Sequence, residues 1–157
     1  MSQTLEVFAS GGSGFVSSAN ATYLTARSGG TLAVDTTDNI TIGQATSYTV
    51  YEGFLDFDTS SLPTNAFILS AVLSVYGAVD SSTTDFNLEF RYYDWGATLG
   101  TDDYVAGDSL HTKTLEGLLM TPDFSTSAFN DFTLTGTENI TTSGTTRFLL
   151  NSSRLRR

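Results

Sequence analysis

The chain has 157 residues, 17 of them acidic and seven basic, and its formal net charge at pH 7 is -10. This length fits one domain, residues 1–157, with a single core. The negative charge repels nucleic-acid phosphates and anionic lipid headgroups, so we expect neither a nucleic acid nor a membrane as a partner. The absence of cysteine excludes disulfides, thiolate metal sites and cysteine nucleophiles.

The composition favours β-structure. Eleven Phe and seven Tyr in a chain that is 39% hydrophobic are enough for a core, so the many Ser and Thr residues do not indicate disorder. Thr, Val, Tyr and Phe favour strands, whereas the helix-favouring Lys, Glu, Gln and Arg are scarce. The sequence shows neither a secretory signal nor an apolar run of ~20 residues, so we expect synthesis in the cytoplasm of the host.

Residues 1–20 are predicted to form a flexible arm or a first strand. Residues 9–21 consist mainly of Ala, Ser, Gly and Asn, a composition that favours an extended arm. Leu5, Val7 and Phe8 are the residues that would anchor a first strand instead.

A hairpin and a long strand are predicted next. Residues 23–27 and 31–34 flank Ser28-Gly29-Gly30, which is the spacing of two strands joined by a tight turn. A short strand follows at 40–43, and residues 48–57 predict a long one.

Asp58 stands before a turn rather than in a catalytic motif. Its carboxylate is expected to accept hydrogen bonds from the backbone of Thr59-Ser60-Ser61-Leu62-Pro63, as an N-cap does in a short helical turn. Asp56 lies two residues earlier on the same strand face, so an acid–base pair or a calcium site is the alternative. We favour the structural role because no third carboxylate stands nearby in the sequence.

Two segments alternate like strands with one buried side. In residues 66–76 the alternation places Ala71, Leu73 and Val75 on one face and Ser70, Val72, Ser74 and Tyr76 on the other. In residues 85–93 the side chains predicted to line the buried face are Phe86, Leu88, Phe90 and Tyr92. Glu89 and Arg91 fall on the opposite face, which is predicted to meet solvent.

A long polar loop, residues 97–108, is predicted after the second of these strands. Its carboxylates Asp102, Asp103 and Asp108 raise the alternative of a bound calcium ion, but they lack the regular spacing of a calcium loop. We therefore predict a solvated acidic loop and no cofactor.

The remaining segments complete an all-β pattern. Strands are predicted at 111–115, 129–134 and 147–150, and a turn or short helical segment at 120–123. His111, the single histidine, is interpreted as a strand-surface residue because no Ser or Cys accompanies it in a catalytic motif. We expect an antiparallel two-sheet β-sandwich of jelly-roll type with a flexible N-terminal arm.

One stretch resembles a known family. The run Phe57-Asp58-Thr59-Ser60-Ser61-Leu62-Pro63 is followed by Ser70-Ala71-Val72-Leu73-Ser74-Val75-Tyr76. This pattern resembles the DNRLRE-type β-sandwich domains, which are similar to carbohydrate-binding modules and occur in surface and phage-encoded proteins. The segment Arg91-Tyr92-Tyr93-Asp94-Trp95-Gly96, with Asp103-Tyr104-Val105-Ala106-Gly107, also resembles uncharacterised phage structural proteins of this kind. The resemblance covers residues 51–107.

The resemblance implies a final strand after one such as 147–150. Because the sequence stops at Arg157, that closing strand either follows Arg157 or comes from a neighbouring copy. An open sheet edge of this kind favours strand addition in an assembly.

The phage-like resemblance also implies a function. We expect a non-enzymatic virion structural protein, either a capsid decoration (cement) protein or a fibre protein, at the virion surface. Its partners would be capsid or fibre subunits, and it would form a homo-oligomer such as a trimer. Residues 151–157 form a basic tail on an acidic body, and the predicted interface residues there are Arg154, Arg156 and Arg157. A solvated terminus is the alternative for this tail.

A carbohydrate-binding module or receptor-binding tip domain is the alternative function. Tyr93 and Trp95 are the aromatic residues that would stack on a glycan, and Asp102 and Asp103 would accept hydrogen bonds from its hydroxyl groups. Packing of the aromatic side chains in the core is the competing interpretation.

Overall fold

The computed structural model describes residues 3–37 and 39–156. Its strands are β1 (Gly14–Ala19), β2 (Thr31–Asp35), β3 (Gly43–Ala45), β4 (Thr49–Asp58), β5 (Val72–Tyr76), β6 (Asn87–Tyr92), β7 (Leu115–Met120), β8 (Phe129–Thr133) and β9 (Thr145–Ser152). One short α-helix, α1, spans Tyr23–Arg27. Short 3-10 helices occupy Thr46–Tyr48, Thr101–Asp103, Gly107–Thr112, Thr121–Asp123 and Ser153–Arg156. None of the helices in the described ranges has the length and apolar character needed to cross a membrane.

The strands form two antiparallel sheets. The large sheet has the order β2-β1-β4-β9-β6-β7, and β3 adds to it beside β4. The other sheet consists of β5 and β8 alone, and we call it the β5–β8 ribbon. The predicted all-β, two-sheet arrangement is confirmed.

Both faces of the large sheet carry a core. Successive side chains of β4 alternate between the faces, so Val50 and Phe54 join one cluster and Leu55 joins the other. The first cluster is covered by α1, by the C-terminal 3-10 turn and by residues 93–114, which we call the β6–β7 connection. The second cluster lies under the β5–β8 ribbon, where the rings of Phe90 and Phe132 have centroids 3.9 Å apart.

The prediction that Glu89 and Arg91 face solvent is wrong. Their side chains are 1% and 3% exposed, because the face of β6 that carries them is covered as well. Arg91 Nη2 donates to Glu89 Oε2 at 2.7 Å, and Arg91 Nη1 donates to the Lys113 carbonyl at 2.7 Å. The two residues therefore form a buried ion pair.

The interpretation of residues 1–20 as a flexible arm is wrong for residues 14–19, which form β1 between β2 and β4. Small residues are needed here for packing: a Cβ on Gly14 would lie 2.3 Å from the Asp35 carbonyl oxygen. Ser18 is buried, and its Oγ donates to the carbonyl of Ala26 at 2.6 Å. Leu5 is exposed and lies outside the strands, and Met1 and Ser2 lie outside the described residues.

The predicted hairpin is also wrong, because Tyr23–Arg27 folds as α1 and β2 pairs with β1 instead. Thr22 has extended backbone angles and its side chain accepts a hydrogen bond from the Thr25 N–H at 3.3 Å. This is the geometry of an N-cap, and it directs the chain into a helical turn. The predicted strand at 40–43 is displaced to Gly43–Ala45.

Substituting Thr22 with alanine removes this cap. We expect the free energy of unfolding to fall by about 1 kcal/mol, the usual cost of losing an N-cap side chain. Urea unfolding followed by tryptophan emission measures the change. Thr22→Ser, which keeps the accepting oxygen, is the control, and an equal loss in both variants would contradict the capping role.

The other predicted elements fall close to observed ones. The long strand is β4, the predicted strands at 129–134 and 147–150 are β8 and β9, and the turn at 120–123 contains Thr121–Asp123. The strand at 111–115 is wrong: His111 lies exposed on the 3-10 turn Gly107–Thr112, and β7 begins at Leu115. β9 pairs with β4 on one side and β6 on the other, so it has no open edge.

The predicted turn role of Asp58 is confirmed in part. Its Oδ1 accepts from the Ser60 N–H at 3.0 Å, but a turn rather than a helical segment follows. Hydrogen bonds from the Ser60 side chain and backbone hold the pKa of Asp58 below its usual value. Asp56 Oδ1 accepts from the hydroxyls of Ser10 and Ser13, so this carboxylate fastens the segment before β1.

Candidate functional site

Trp95 and Tyr93 offer little free ring surface. Trp95 is 8% exposed, and its ring meets Phe54 edge-on with the centroids 5.3 Å apart. The Arg147 guanidinium lies 5.5 Å from the Trp95 ring centroid. Tyr93 is half-buried, and the Lys113 ammonium sits 4.1 Å from its ring centroid. Stacking on a sugar needs an open ring face, and these contacts occupy the faces instead.

The carboxylates of the β6–β7 connection have separate environments. Asp102 is exposed, whereas Asp103 is buried and accepts from the Gly100 N–H at 2.8 Å. Burial raises the pKa of Asp103 above its usual value. Asp108 forms an ion pair with Arg27. In the ranges that the structure describes, no three acidic or histidine side chains are placed to hold a metal ion.

We expect added glycans to leave the fluorescence of Trp95 unchanged. The nearby hollow is shallow, with a volume of about 300 Å³, and is lined by Tyr92, Tyr93, Asp94, Thr112, Lys113 and Thr114. Because Trp95 is packed on Phe54, a sugar cannot reach its ring without opening the core. Titration with a broad glycan panel is the measurement, and a saturable change in emission would contradict this expectation.

The prediction of a tail is wrong for residues 151, 152 and 155, which are buried in the domain. Residues 151 and 152 belong to β9, and Leu155 is buried in the first core cluster. The Leu155 carbonyl accepts from Arg27 Nε at 3.0 Å, and a Cβ on Gly107 would lie 2.0 Å from the same oxygen. Arg154 is exposed. The side chain of Arg156 and all of Arg157 lie outside the described residues.

Glu52 is a fully buried carboxyl beneath the β6–β7 connection. Its Oε2 accepts from the Val105 N–H at 2.9 Å, and its Oε1 has no hydrogen-bond partner within the described ranges. Burial raises the pKa of Glu52 to about 8. The group is covered on all sides, so it meets no substrate in this arrangement and instead fixes the connection to β4.

Glu116 is equally buried but has a full set of donors. Its Oε2 accepts from the Gly136 N–H at 3.1 Å and the Thr135 hydroxyl at 3.3 Å. Its Oε1 accepts from Asn139 Nδ2 at 2.7 Å. The carboxylate therefore joins β7 to residues 135–139, which is a structural role.

The outer face of the β5–β8 ribbon is the candidate binding surface. Alternation along the two strands places six side chains on this face: Val72, Ser74, Tyr76, Phe129, Asp131 and Thr133. Val72 and Tyr76 are each 58% exposed and Phe129 is 68% exposed. The rings of Tyr76 and Phe129 meet edge-on at 5.3 Å. Leu69 and Val79, on either side of β5, are also exposed apolar residues.

The segment that includes β5 has no charged side chain. Between Asp58 and Asp80, residues 59–79 contain neither acidic nor basic residues, although the chain carries a net charge of -10. On the ribbon's outer face Asp131 is the charged residue, and it accepts a hydrogen bond from Ser74 Oγ at 2.5 Å. The surface therefore exposes three large apolar side chains and carries little charge for so acidic a protein.

Comparisons with protein-family models, with curated proteins and with solved structures find no match to this chain.

Proposed function

We propose that the chain is a non-enzymatic structural protein of a virus particle, a capsid decoration or fibre protein of a phage. It attaches at the virion surface to capsid or fibre subunits through the β5–β8 ribbon. The observation that carries the proposal is the exposed apolar face around Val72, Tyr76 and Phe129. The resemblance of residues 51–107 to phage structural proteins agrees with it.

Exposed apolar surface of this kind supports a binding role. The rings of Tyr76 and Phe129 contact each other edge-on, yet more than half of each residue's surface remains exposed. Contiguous apolar patches on soluble domains mark sites of protein contact, and aromatic residues are enriched in such contacts. The face belongs to paired strands rather than to a loop, so it is held rigid for a partner.

The buried carboxylates support a non-enzymatic role. Glu52 lies under the β6–β7 connection, and Glu116 is held by three donors. Glu89 is paired with Arg91 in the interior. These groups fasten segments of the fold to one another, and a general acid or base would need contact with a substrate.

Purified particles test the proposed function. Virus particles banded in a density gradient, from cultures of the host whose genome or phage encodes the chain, are expected to contain it in many copies per particle by quantitative mass spectrometry. A variant carrying Val72→Glu and Tyr76→Glu is expected to be lost from the particle band, whereas Leu24→Glu, an exposed apolar residue on α1, is retained. Absence of the wild-type chain from purified particles overturns the proposal.

A further inference from the structure

β5 has a free edge. β8 pairs with one side of it, and within the described ranges no strand pairs with the other. The Leu134 N–H donates to the Ala71 carbonyl at 3.0 Å, and the Gly77 N–H donates to the Ala128 carbonyl at 2.8 Å. In an antiparallel ladder alternate residues bond to the same neighbour. The backbone groups that point to the free edge are therefore those of Val72, Ser74 and Tyr76.

This edge lacks the usual protection against pairing. Natural edge strands are commonly blocked by charged side chains, proline or bulges. Two outer strands of the large sheet follow that pattern: β2 ends at Asp35, and β7 has an irregular step at Glu116 in its pairing with β6. β5 has no charge or proline in its sequence, and its register with β8 is continuous.

The charge distribution of the chain favours a second copy as the partner of this edge. Two chains of net charge -10 repel each other, so they associate most easily where each presents little charge. Residues 59–79 carry no charge, and the charged residue beside them on the ribbon is Asp131 of β8. The apolar side chains of β5 are also placed symmetrically, with Val72 and Tyr76 each two residues from Ser74, as a two-fold interface requires.

We propose that β5 pairs antiparallel with β5 of a second copy about a two-fold axis at Ser74. Val72 then lies opposite Tyr76 of the second copy, which is a favourable cross-strand pair of a β-branched and an aromatic residue. The outward N–H and C=O groups of the three alternate residues exchange hydrogen bonds with their counterparts. The product is a continuous four-stranded sheet in the order β8-β5-β5-β8. This inference rests on the proposed function, since it names a partner for the same surface.

Two double variants test both the interface and its register. In Val72→Glu/Tyr76→Glu, each glutamate at position 72 faces a glutamate at 76 of the other copy, and like charges directly opposite are destabilising. In Val72→Glu/Tyr76→Lys, every facing pair has opposite charges. The second variant introduces two charged side chains as the first does, so it controls for the loss of apolar surface. Leu24→Glu on α1 controls for a charge placed elsewhere.

Light scattering across protein concentration gives the readout. We expect the wild type, Leu24→Glu and the Glu/Lys variant to reach twice the 16.8 kDa chain mass, and the Glu/Glu variant to stay at the single-chain mass at the same concentrations. A wild type that stays at the single-chain mass overturns the proposal. Equal dimerisation of both double variants would show that β5 is not the interface. Loss of dimerisation in both would show that Val72 does not lie opposite Tyr76 of the second copy.

The particle experiment separates this inference from the proposed function. If the wild type stays single in solution while the Glu/Glu variant is lost from particles, the pairing of two copies fails and the structural role stands. If the wild type dimerises through β5 and is absent from particles, the structural role fails and the pairing stands.

Discussion

Replacing Glu52 with glutamine is expected to stabilise the fold at pH 9 by several kcal/mol and to leave its stability near that of the wild type at pH 4. Glu52 is buried beneath Val105, and one of its oxygens has no hydrogen-bond partner within the described ranges. A buried carboxylate without a counter-charge is costly, whereas a neutral amide of the same shape avoids that penalty.

The direction follows from the pKa of Glu52, which is about 8 in the folded chain and 4.5 as its ordinary value. Between these values the folded chain holds a proton that the unfolded chain has released. The free energy of unfolding of the wild type therefore falls as pH rises through this range, by about 1.4 kcal/mol per pH unit from this group. Glu52→Gln removes this contribution because the amide does not titrate. Urea unfolding of both proteins at pH 4, 6 and 9 measures the difference.

Glu116→Gln is the matched control, with the opposite sign expected. Glu116 is as buried as Glu52, but its oxygens accept from the Gly136 N–H and from Asn139 Nδ2. The NH2 group of a glutamine side chain would face one of these N–H donors and could not accept from it. This substitution should therefore cost about 1–3 kcal/mol at pH 7. Stability curves for wild type and Glu52→Gln that run parallel from pH 4 to 9 would contradict the assignment of Glu52.

Removing the charge of Arg91 is expected to be among the most damaging changes in the chain. Arg91→Met leaves Glu89 buried without its guanidinium partner at 2.7 Å, and breaking a buried pair in this way costs about 3–5 kcal/mol. The Lys113 carbonyl also loses a donor. The midpoint of urea unfolding, or the melting temperature, reports the loss.

A double variant tests this prediction even where Arg91→Met alone is largely unfolded. Glu89→Leu/Arg91→Met removes both charges, and we expect it to be more stable than Arg91→Met because no buried carboxylate remains that has lost the Arg91 guanidinium. Asp94→Asn is the surface comparison: Asp94 pairs with Arg147 at 2.7 Å but is 56% exposed, so the change should be within about 1 kcal/mol. A double variant no more stable than the single would contradict the role of charge burial.

Alternation was a reliable guide where one face of a strand packs on the core. It locates β5, where Leu73 and Val75 on one face belong to the second cluster. It failed for Glu89 and Arg91, since the pattern of one strand does not reveal that a distant connection covers its other face. The composition of residues 9–21 did not predict β1. Gly14 and Ser18 are small because neighbouring backbone lies close to them, not because the segment is an arm.

The candidate surface was visible in the sequence only in part. The alternation places Val72 and Tyr76 on the same face of their strand, and the stretch from 59 to 79 has no charge. Together these signals indicate a strand with an apolar, uncharged face. Phe129 comes from β8, and its position beside Tyr76 depends on a pairing between distant segments that no local pattern predicts.

Amide hydrogen exchange of β5, followed residue by residue by NMR at low and high protein concentration, tests the central claim most directly. The N–H groups of Val72, Ser74 and Tyr76 face the free edge, whereas those of Leu73 and Val75 face β8. We predict that exchange at the first three slows as concentration rises, while protection of the other two stays the same. Exchange that is independent of concentration at Val72, Ser74 and Tyr76 would contradict the account of β5 as an assembly edge.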